Sequence, residues 1–210
     1  MIKKKFPSKN YRSSGLYYDD YIDLKNILLK SVDKNKLKGI IELIIKTIKK
    51  KKQIFSCGNG GSSSTAEHLT CDFTKSATTN SKLHIRSFSL NSNTSLITAI
   101  ANDISYDEIF SYQLAKYGKA NDIVFLFSVS GTSKNIVKCA NVAKSKKIKI
   151  ISFTGFNGGK IKKMSNHNIS FPSNNFGIVE DCHLTMMHYI SQFIRMSNLK
   201  KNIRLSNINF

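Results

Sequence analysis

His68 and Asp72 lie four residues apart in a stretch, 64–73, that reads as a helix. Both side chains therefore project from one helix face. An imidazole and a carboxylate in that relation can ligate a divalent metal or share a substrate proton. A second group, Glu180, Asp181, His183 and His188, crowds the start of the last long helical pattern. Three of the five histidines thus fall in two short segments. A lone His68 would read as structural, but four N/O donors at these spacings suit a zinc-type site. Glu180 and His188 are separated by about 12 Å of rise on a straight helix. They reach one metal only if the chain bends near Glu180 or the site is shared between subunits. Asp181 is closer in helical phase to His188, and phase alone does not choose between the two acids.

Two loops supply a different chemistry. The first, Gly58-Asn59-Gly60-Gly61 followed by Ser62, Ser63 and Ser64, sits between a short apolar run and the His68 helix. Glycines let the backbone approach a ligand closely, and the free N–H groups and dipole of the next helix favour an anion. The second loop, SVSGTS at 128–133, repeats that arrangement with four hydroxyls and a glycine. One such loop is also what an ordinary serine-capped turn looks like; two at strand ends in one chain point to a phosphate. Neither loop carries GxGxxG, and no GxxxxGK[ST] is present, which disfavours a dinucleotide and excludes a P-loop. Hydroxyl and backbone donors without a nucleotide motif fit a small phosphate ester such as a sugar phosphate.

The elements that position these groups alternate in type. Apolar spacing predicts two helices over 17–52, broken at Ser31-Val32-Asp33. Strands are expected at 53–57, 85–90, 123–127, 147–153 and 169–172. Helices are expected at 64–73, 95–102, 106–117, 134–145 and 179–196. The segments 1–14 and 74–82 read as loose, and 197–210 as a basic, disordered tail. Alternating strands and helices argue for an α/β fold with a five-stranded parallel sheet covered on both faces. Ligands of such sheets sit at the carboxyl ends of the strands, where both serine-rich loops fall. The domain reading is an N-terminal helical pair (1–52) for oligomer packing, a sugar-phosphate domain (53–196) and the tail (197–210).

Composition bounds the rest. The 210 residues are 40% hydrophobic, enough for the core of one domain. No apolar segment follows the basic start, so no signal peptide is expected, and no run has the length of a membrane span. Cys57, Cys71, Cys139 and Cys182 form no CxxC pair. Reduced thiols and a cytoplasmic location are the expectation. The net charge of +20 comes from lysines spread along the chain without aromatic interleaving. They read mainly as solvated surface, with attraction of anionic substrates as the functional alternative and nucleic acid as an unexpected partner.

The segments GNGGSSSTAEH (58–68), AND (101–103), SVSGTS (128–133), TGFNGG (154–159) and GIVEDCHLTMMH (177–188) resemble the phosphoheptose isomerases of the sugar isomerase (SIS) domain superfamily. The resemblance covers the chain from the N-terminal helices to about Ile194. It implies a single SIS domain with a flavodoxin-like three-layer sandwich, a cytoplasmic homotetramer with active sites between subunits, and one zinc ion per site. It also implies aldose–ketose isomerisation of sedoheptulose 7-phosphate on the way to nucleotide-linked heptose for surface polysaccharide. By position, His68 and His188 match metal-binding histidines, and His188 also a proposed acid/base. Asp72 falls where a glutamate ligand and base is usual, and Glu180 where a glutamine ligand is usual. Asn59, Gly60, Gly61, Ser62, Ser128, Val129, Ser130 and Ser133 match the phosphate and substrate loops, and Asp103 a substrate-contacting aspartate. The chain departs from the family in Asp72 and Glu180 themselves, in Val129 for threonine, in Gly177 for aspartate and in Ser76 for arginine.

The implied chemistry moves a proton between C1 and C2 of a sugar through a cis-enediol, with Asp72 as base and His188 as its partner. A divalent metal held by His68, Asp72, Glu180 and His188 would polarise the carbonyl. Two other readings stand beside it. One is a different sugar-phosphate isomerase, since the changed arginine and aspartate positions bear on the sugar. The other is a non-catalytic SIS module that binds a sugar phosphate or the bacterial replication initiator.

Overall fold

The computed structural model describes residues 5–201 together with 203, 204, 206 and 208. Five strands form one parallel sheet in the order β2-β1-β3-β4-β5: β1 (Gln53–Gly58), β2 (Arg86–Ser89), β3 (Ile123–Ser128), β4 (Lys149–Thr154) and β5 (His167–Ser170). The middle strand β3, IVFLFS, is buried at all six positions. That is the run expected of a parallel strand covered on both faces. Phe125 and Phe127 go to one face and Val124 and Leu126 to the other.

Eight helices make the outer layers. α1 (Ser14–Lys30), α2 (Lys34–Lys49), α3 (Gly61–Cys71) and α8 (Phe176–Ser197) cover one face. α4 (Thr94–Asp103), α5 (Ser111–Tyr117), α6 (Lys134–Ser145) and α7 (Gly159–Met164) cover the other. The expected three-layer α/β sandwich is what forms. Because the order reverses between β1 and β3, the crevice at their carboxyl ends is the switch point where such sheets bind ligands. The glycine loop leaves β1 there and the SVSGTS loop leaves β3 there.

Several local expectations are corrected. The 1–14 segment is not loose throughout. Phe6 is buried against Tyr17 and Tyr21, and its N–H donates to Asn174 Oδ1 at 3.0 Å. A single aromatic among polar residues leaves no periodic trace, so only the tertiary contact reveals it. The 74–82 stretch is not simply a loop either: α3 runs on into a π-helical turn at Asp72–Ser76, closed by Ala77 N–H to Asp72 O at 2.7 Å. α7 was not expected, and α3 and α8 each begin three residues early, at Gly61 and Phe176. The strand placed at 169–172 lies at 167–170. At the far end, Leu199 bridges Ser81, and Lys200 N–H donates to Asn80 O. The start of the basic tail is therefore docked. Of the segment expected to be disordered, 202, 205, 207, 209 and 210 lie outside the described residues.

The N-terminal helices complete the layer over β5 and α8 of their own chain. Tyr21 of α1 donates to Asp181 Oδ2 on α8 at 2.9 Å. This fixes the rotation of α8, with Asp181 toward α1, and so decides between the two adjacent acids. No helix of the described residues is long and apolar enough to cross a membrane.

Candidate active site

The first loop turns on glycine for steric reasons. A Cβ on Gly58 would lie 2.4 Å from the Ser62 carbonyl oxygen, and Gly60 has φ +56° as it leads into α3. Only glycine holds both conditions without strain. The result places the first turn of α3 at the end of β1, with Ser62 N–H on Asn59 O at 3.0 Å and Ser63 N–H on Gly60 O at 2.9 Å. Asn59 is tied down by a reciprocal amide pair, its Nδ2 donating to Asn135 Oδ1 and Asn135 Nδ2 donating to Asn59 Oδ1, each at 2.9 Å. Tyr106 adds a hydroxyl donor to Asn59 Oδ1 at 3.2 Å.

The second loop is folded back on itself by Ser128, whose Oγ accepts from Gly131 N–H at 3.1 Å. It rests on the TGFNGG segment. Gly155 N–H donates to Val129 O at 2.8 Å, and Ile161 N–H donates to Gly131 O at 3.1 Å. The two loops line one cavity of about 260 Å³. Asn59, Gly60 and Ser62 form one wall, Ser128, Val129, Ser130 and Ser133 the other, and Glu180 closes it from α8. Two helix N-termini and several hydroxyls converge on this crevice, an arrangement that favours an anion. Gly61 lies directly beneath Glu180, whose Oε2 would be 2.4 Å from a Cβ at that position. Burial, and to a lesser extent the Asp181 charge, hold the Glu180 carboxyl above the usual carboxylate range. A carboxyl that keeps its proton longer can donate to a sugar oxygen beside the anion.

Farther along the α3–α8 groove, His68, Asp72 and His188 bring their ligand atoms within 4.8 Å of one another. The two Nε2 atoms are 3.3 Å apart, and Asp72 Oδ1 is 3.6 Å from His68 Nε2. Two nitrogens bound to zinc at about 2.05 Å with tetrahedral angles are separated by about 3.3 Å. The spacing of the two imidazole nitrogens, here in hydrogen-bond contact, matches that of a zinc-bound pair. Asp72 is 9% exposed and held by two hydroxyls, Ser191 Oγ on Oδ2 at 2.9 Å and Ser76 Oγ on Oδ1 at 3.2 Å. Asp72 ends α3 with helical backbone, and the π-helical turn that follows carries Ser76 onto its carboxylate; such turns are frequent at functional sites. A small cavity of about 200 Å³ opens beside it, lined also by Gln192 and Arg195.

The four-donor set expected from the sequence is thus divided. Within one protomer Glu180 stands over Gly61 in the loop cavity and His188 in the histidine group, because α8 is continuous from Phe176 and puts two helical turns between them; one metal could draw on both only across a subunit boundary. Asp103 also stands apart. It ends α4, exposed, accepting from Asn102 Nδ2, and Tyr106 is the residue from this region that reaches the loops. Ser191 was missed although it lies one turn beyond His188. Ser76 was noted only as an absent arginine, although it lies one turn beyond Asp72.

His183 needs the largest correction. It does not join the site but is fully buried among the rings of Phe127, Phe153 and Phe171, with centroids at 6.2, 6.0 and 5.8 Å. Burial lowers its pKa to about 4, offset in part by the Thr154 backbone. The unfolded chain, with an ordinary histidine near 6.5, takes up the proton first as pH falls. The stability present above pH 6.5 is therefore lost progressively toward pH 4, by up to roughly 3 kcal/mol. His183→Leu is expected to flatten that acid limb. Urea melts at pH 7.5 and pH 5 measure it, and an equal loss in both proteins would refute the assignment.

The SIS domain family matches residues 17–155. A phosphoheptose isomerase of Helicobacter pylori is 34% identical over 190 residues, covering 90% of this chain and 98% of that protein. A probable phosphoheptose isomerase of Thermoplasma volcanium is 33% identical over 192 residues, covering 91% and 96%. Among solved structures, the phosphoheptose isomerase of Neisseria gonorrhoeae superposes with a TM-score of 0.78 at 26% identity, covering 87% of this chain and 96% of that one.

Proposed function

Because the chain belongs to the phosphoheptose isomerase family of SIS-domain proteins, and is an aldose–ketose isomerase, we propose that its substrate is sedoheptulose 7-phosphate and its product the aldoheptose 7-phosphate. The observation that carries this is the spacing of the two halves of the site along α3 and α8. Glu180 at the loop cavity and His188 at the histidine group are about 12 Å apart by helix rise. An extended sugar gains about 1.25 Å per bond from C–C bonds of about 1.5 Å, so C2 of a heptulose 7-phosphate stands about 9 Å from phosphorus and C2 of a triose phosphate about 4 Å. With the reach of the side chains included, a long sugar phosphate bridges the two halves and a triose phosphate does not.

In this reading the two serine loops and the N-termini of α3 and α6 hold the phosphate. Asp72, aimed by Ser76 and Ser191, takes the C1 proton of the ketose and returns it to C2 of the enediol. His188 and Glu180 serve the oxygens, His188 near the reacting carbons and Glu180 along the chain. His68, Asp72 and His188 are the residues that would hold a divalent ion, zinc by donor type. Bound there, it would supply Lewis-acid polarisation of the sugar carbonyl. The product would feed surface polysaccharide synthesis, and the four free cysteines accord with a cytoplasmic enzyme.

We also propose a homo-oligomer, tetrameric by resemblance. An apolar groove of about 920 Å³ between α1, α2 and α8 is lined by Leu29, Ile41, Met186, Tyr189 and Phe193, and Leu16, Tyr18 and Ile27 are exposed on α1. Such surface marks an interface.

The purified protein incubated with sedoheptulose 7-phosphate and followed by NMR is expected to give the aldoheptose phosphate. Chelation should lower the rate at least tenfold, and added zinc should restore it. Turnover of shorter ketose phosphates but not this one would overturn the substrate assignment. Chelator-insensitive turnover would overturn the metal. Light scattering on the same sample, if it gave a monomer mass, would overturn the oligomer.

A further inference from the structure

On the sheet face opposite α3 and α8, a cavity of about 690 Å³ runs along the β2 edge. That volume is in the range of small-molecule sites. Its basic lining comes from three places in the chain. Lys50, Lys51 and Lys52 follow α2 and enter β1, Arg86 opens β2, and Lys116 and Lys119 flank the end of α5. Among the described residues, none of these six cations forms an ion pair. The acid in the lining, Asp122, contributes one negative charge against six positive ones and forms no ion pair with them. It is 2% exposed, its Oδ1 accepts from Gln53 N–H at 2.9 Å and its Oδ2 from Lys119 N–H at 2.7 Å. The carboxylate is consumed in pinning the backbone that carries two of the lysines.

The lysine run leaves α2 through a Schellman cap. Lys51 is left-handed at φ +54°, with its N–H on Ile48 O and that of Lys52 on Thr47 O. The same cap ends α6 at Lys147, so the turn itself is ordinary helix termination.

Aromatic surface lies beside the cations. Phe88 and Tyr117, both lining the cavity, are 46% and 53% exposed. Phe88 shares a face of β2 with Arg86, because alternate residues of a strand point the same way. Its ring lies 6.1 Å from that of Phe55. Cations without ion pairs, of which Lys116 lies over the Tyr112 ring at 5.5 Å, stand next to an exposed ring and match a ligand with several phosphate charges at one end and a flat ring at the other.

We propose that this cavity is a second ligand site, separate from the isomerase centre, which takes a nucleoside polyphosphate with the phosphates among Lys52, Arg86, Lys116 and Lys119 and the base against Phe88 and Tyr117. The test is calorimetric titration of the full-length protein with ATP and with inorganic tripolyphosphate at low salt. One ATP per chain is expected to bind saturably, at least three times more tightly than tripolyphosphate. The double variant Lys52→Glu, Arg86→Glu should weaken ATP at least tenfold. Phe88→Ser should weaken ATP severalfold and leave tripolyphosphate unchanged. Lys116→Glu, on a different element, provides an independent loss if the double variant folds poorly. Isomerase kcat/KM should stay within twofold in every folded variant, since none of these residues lines the catalytic groove. ATP binding that the sugar phosphate displaces and these variants leave intact would assign it to the isomerase centre and overturn the proposal. Absence of saturation, or tripolyphosphate binding as tightly as ATP, would overturn it equally.

Discussion

Asp72→Asn is expected to lower kcat by about 10³-fold in a protein that still folds. A positioned general base contributes roughly 10²- to 10⁴-fold, and the upper part of that range applies where no neighbouring group can take over. Glu180 cannot, because it lies two turns of α8 away over Gly61. The substitution is nearly isosteric in a buried position. Asn retains one oxygen to accept from Ser76 or Ser191, and Ser191 Oγ also donates to the His188 carbonyl at 3.0 Å, so it keeps a partner. The structural cost is therefore about 1 kcal/mol. Steady-state kinetics with a thermal melt on the same sample separate the two effects. A folded variant that turns over within tenfold of the parent would remove Asp72 from the role of base.

Gly131→Ala should damage the phosphate site and the fold together. Its φ of +66° is in the left-handed region, and a Cβ would lie 2.1 Å from the Gly158 carbonyl oxygen and 2.7 Å from its carbon. Both obstacles are backbone, so no rotamer change relieves them. Left-handed strain of about 1–2 kcal/mol adds to overpacking of about 1–3 kcal/mol. For a chain of this size that predicts a melting temperature lower by roughly 4–20 °C. The SVSGTS loop can accommodate the methyl only by parting from the segment that supports it. KM for the sugar phosphate should then rise about tenfold or more. Gly60→Ala provides the contrast. It sits at φ +56°, ψ −127° with no atom within 4 Å of the added carbon, so only a conformational cost of about 1–3 kcal/mol should appear. Equal melting temperatures for the two variants would show that the close approach to Gly158 does not matter.

Most of the scaffold and both loops were legible in the residues. Strand β3 declared itself by five consecutive apolar residues, IVFLF, and the helices by 3.6-residue spacing, because local burial repeats along the chain. The glycine- and serine-rich loops were legible because a close backbone approach and an exposed helix N-terminus demand particular residue types at particular steps. The pairing of His68 with Asp72 followed from one turn of helix.

Rotations and contacts between distant elements could not be read in this way. Glu180 and Asp181 are adjacent in sequence, and only the Tyr21 bond from α1 fixes which of them faces the loops. His183 had the composition of a site residue but lies on the face of α8 that packs against Phe127, Phe153 and Phe171. The convergence of Lys52, Arg86 and Lys116 beside Phe88 joins residues tens of positions apart. Sequence by itself determined which chemistry the chain carries, because side-chain type and local period are properties of neighbours along the chain. The tertiary structure alone decided which of those groups meet, because packing sets the rotation of each helix about its axis and no local pattern encodes that angle.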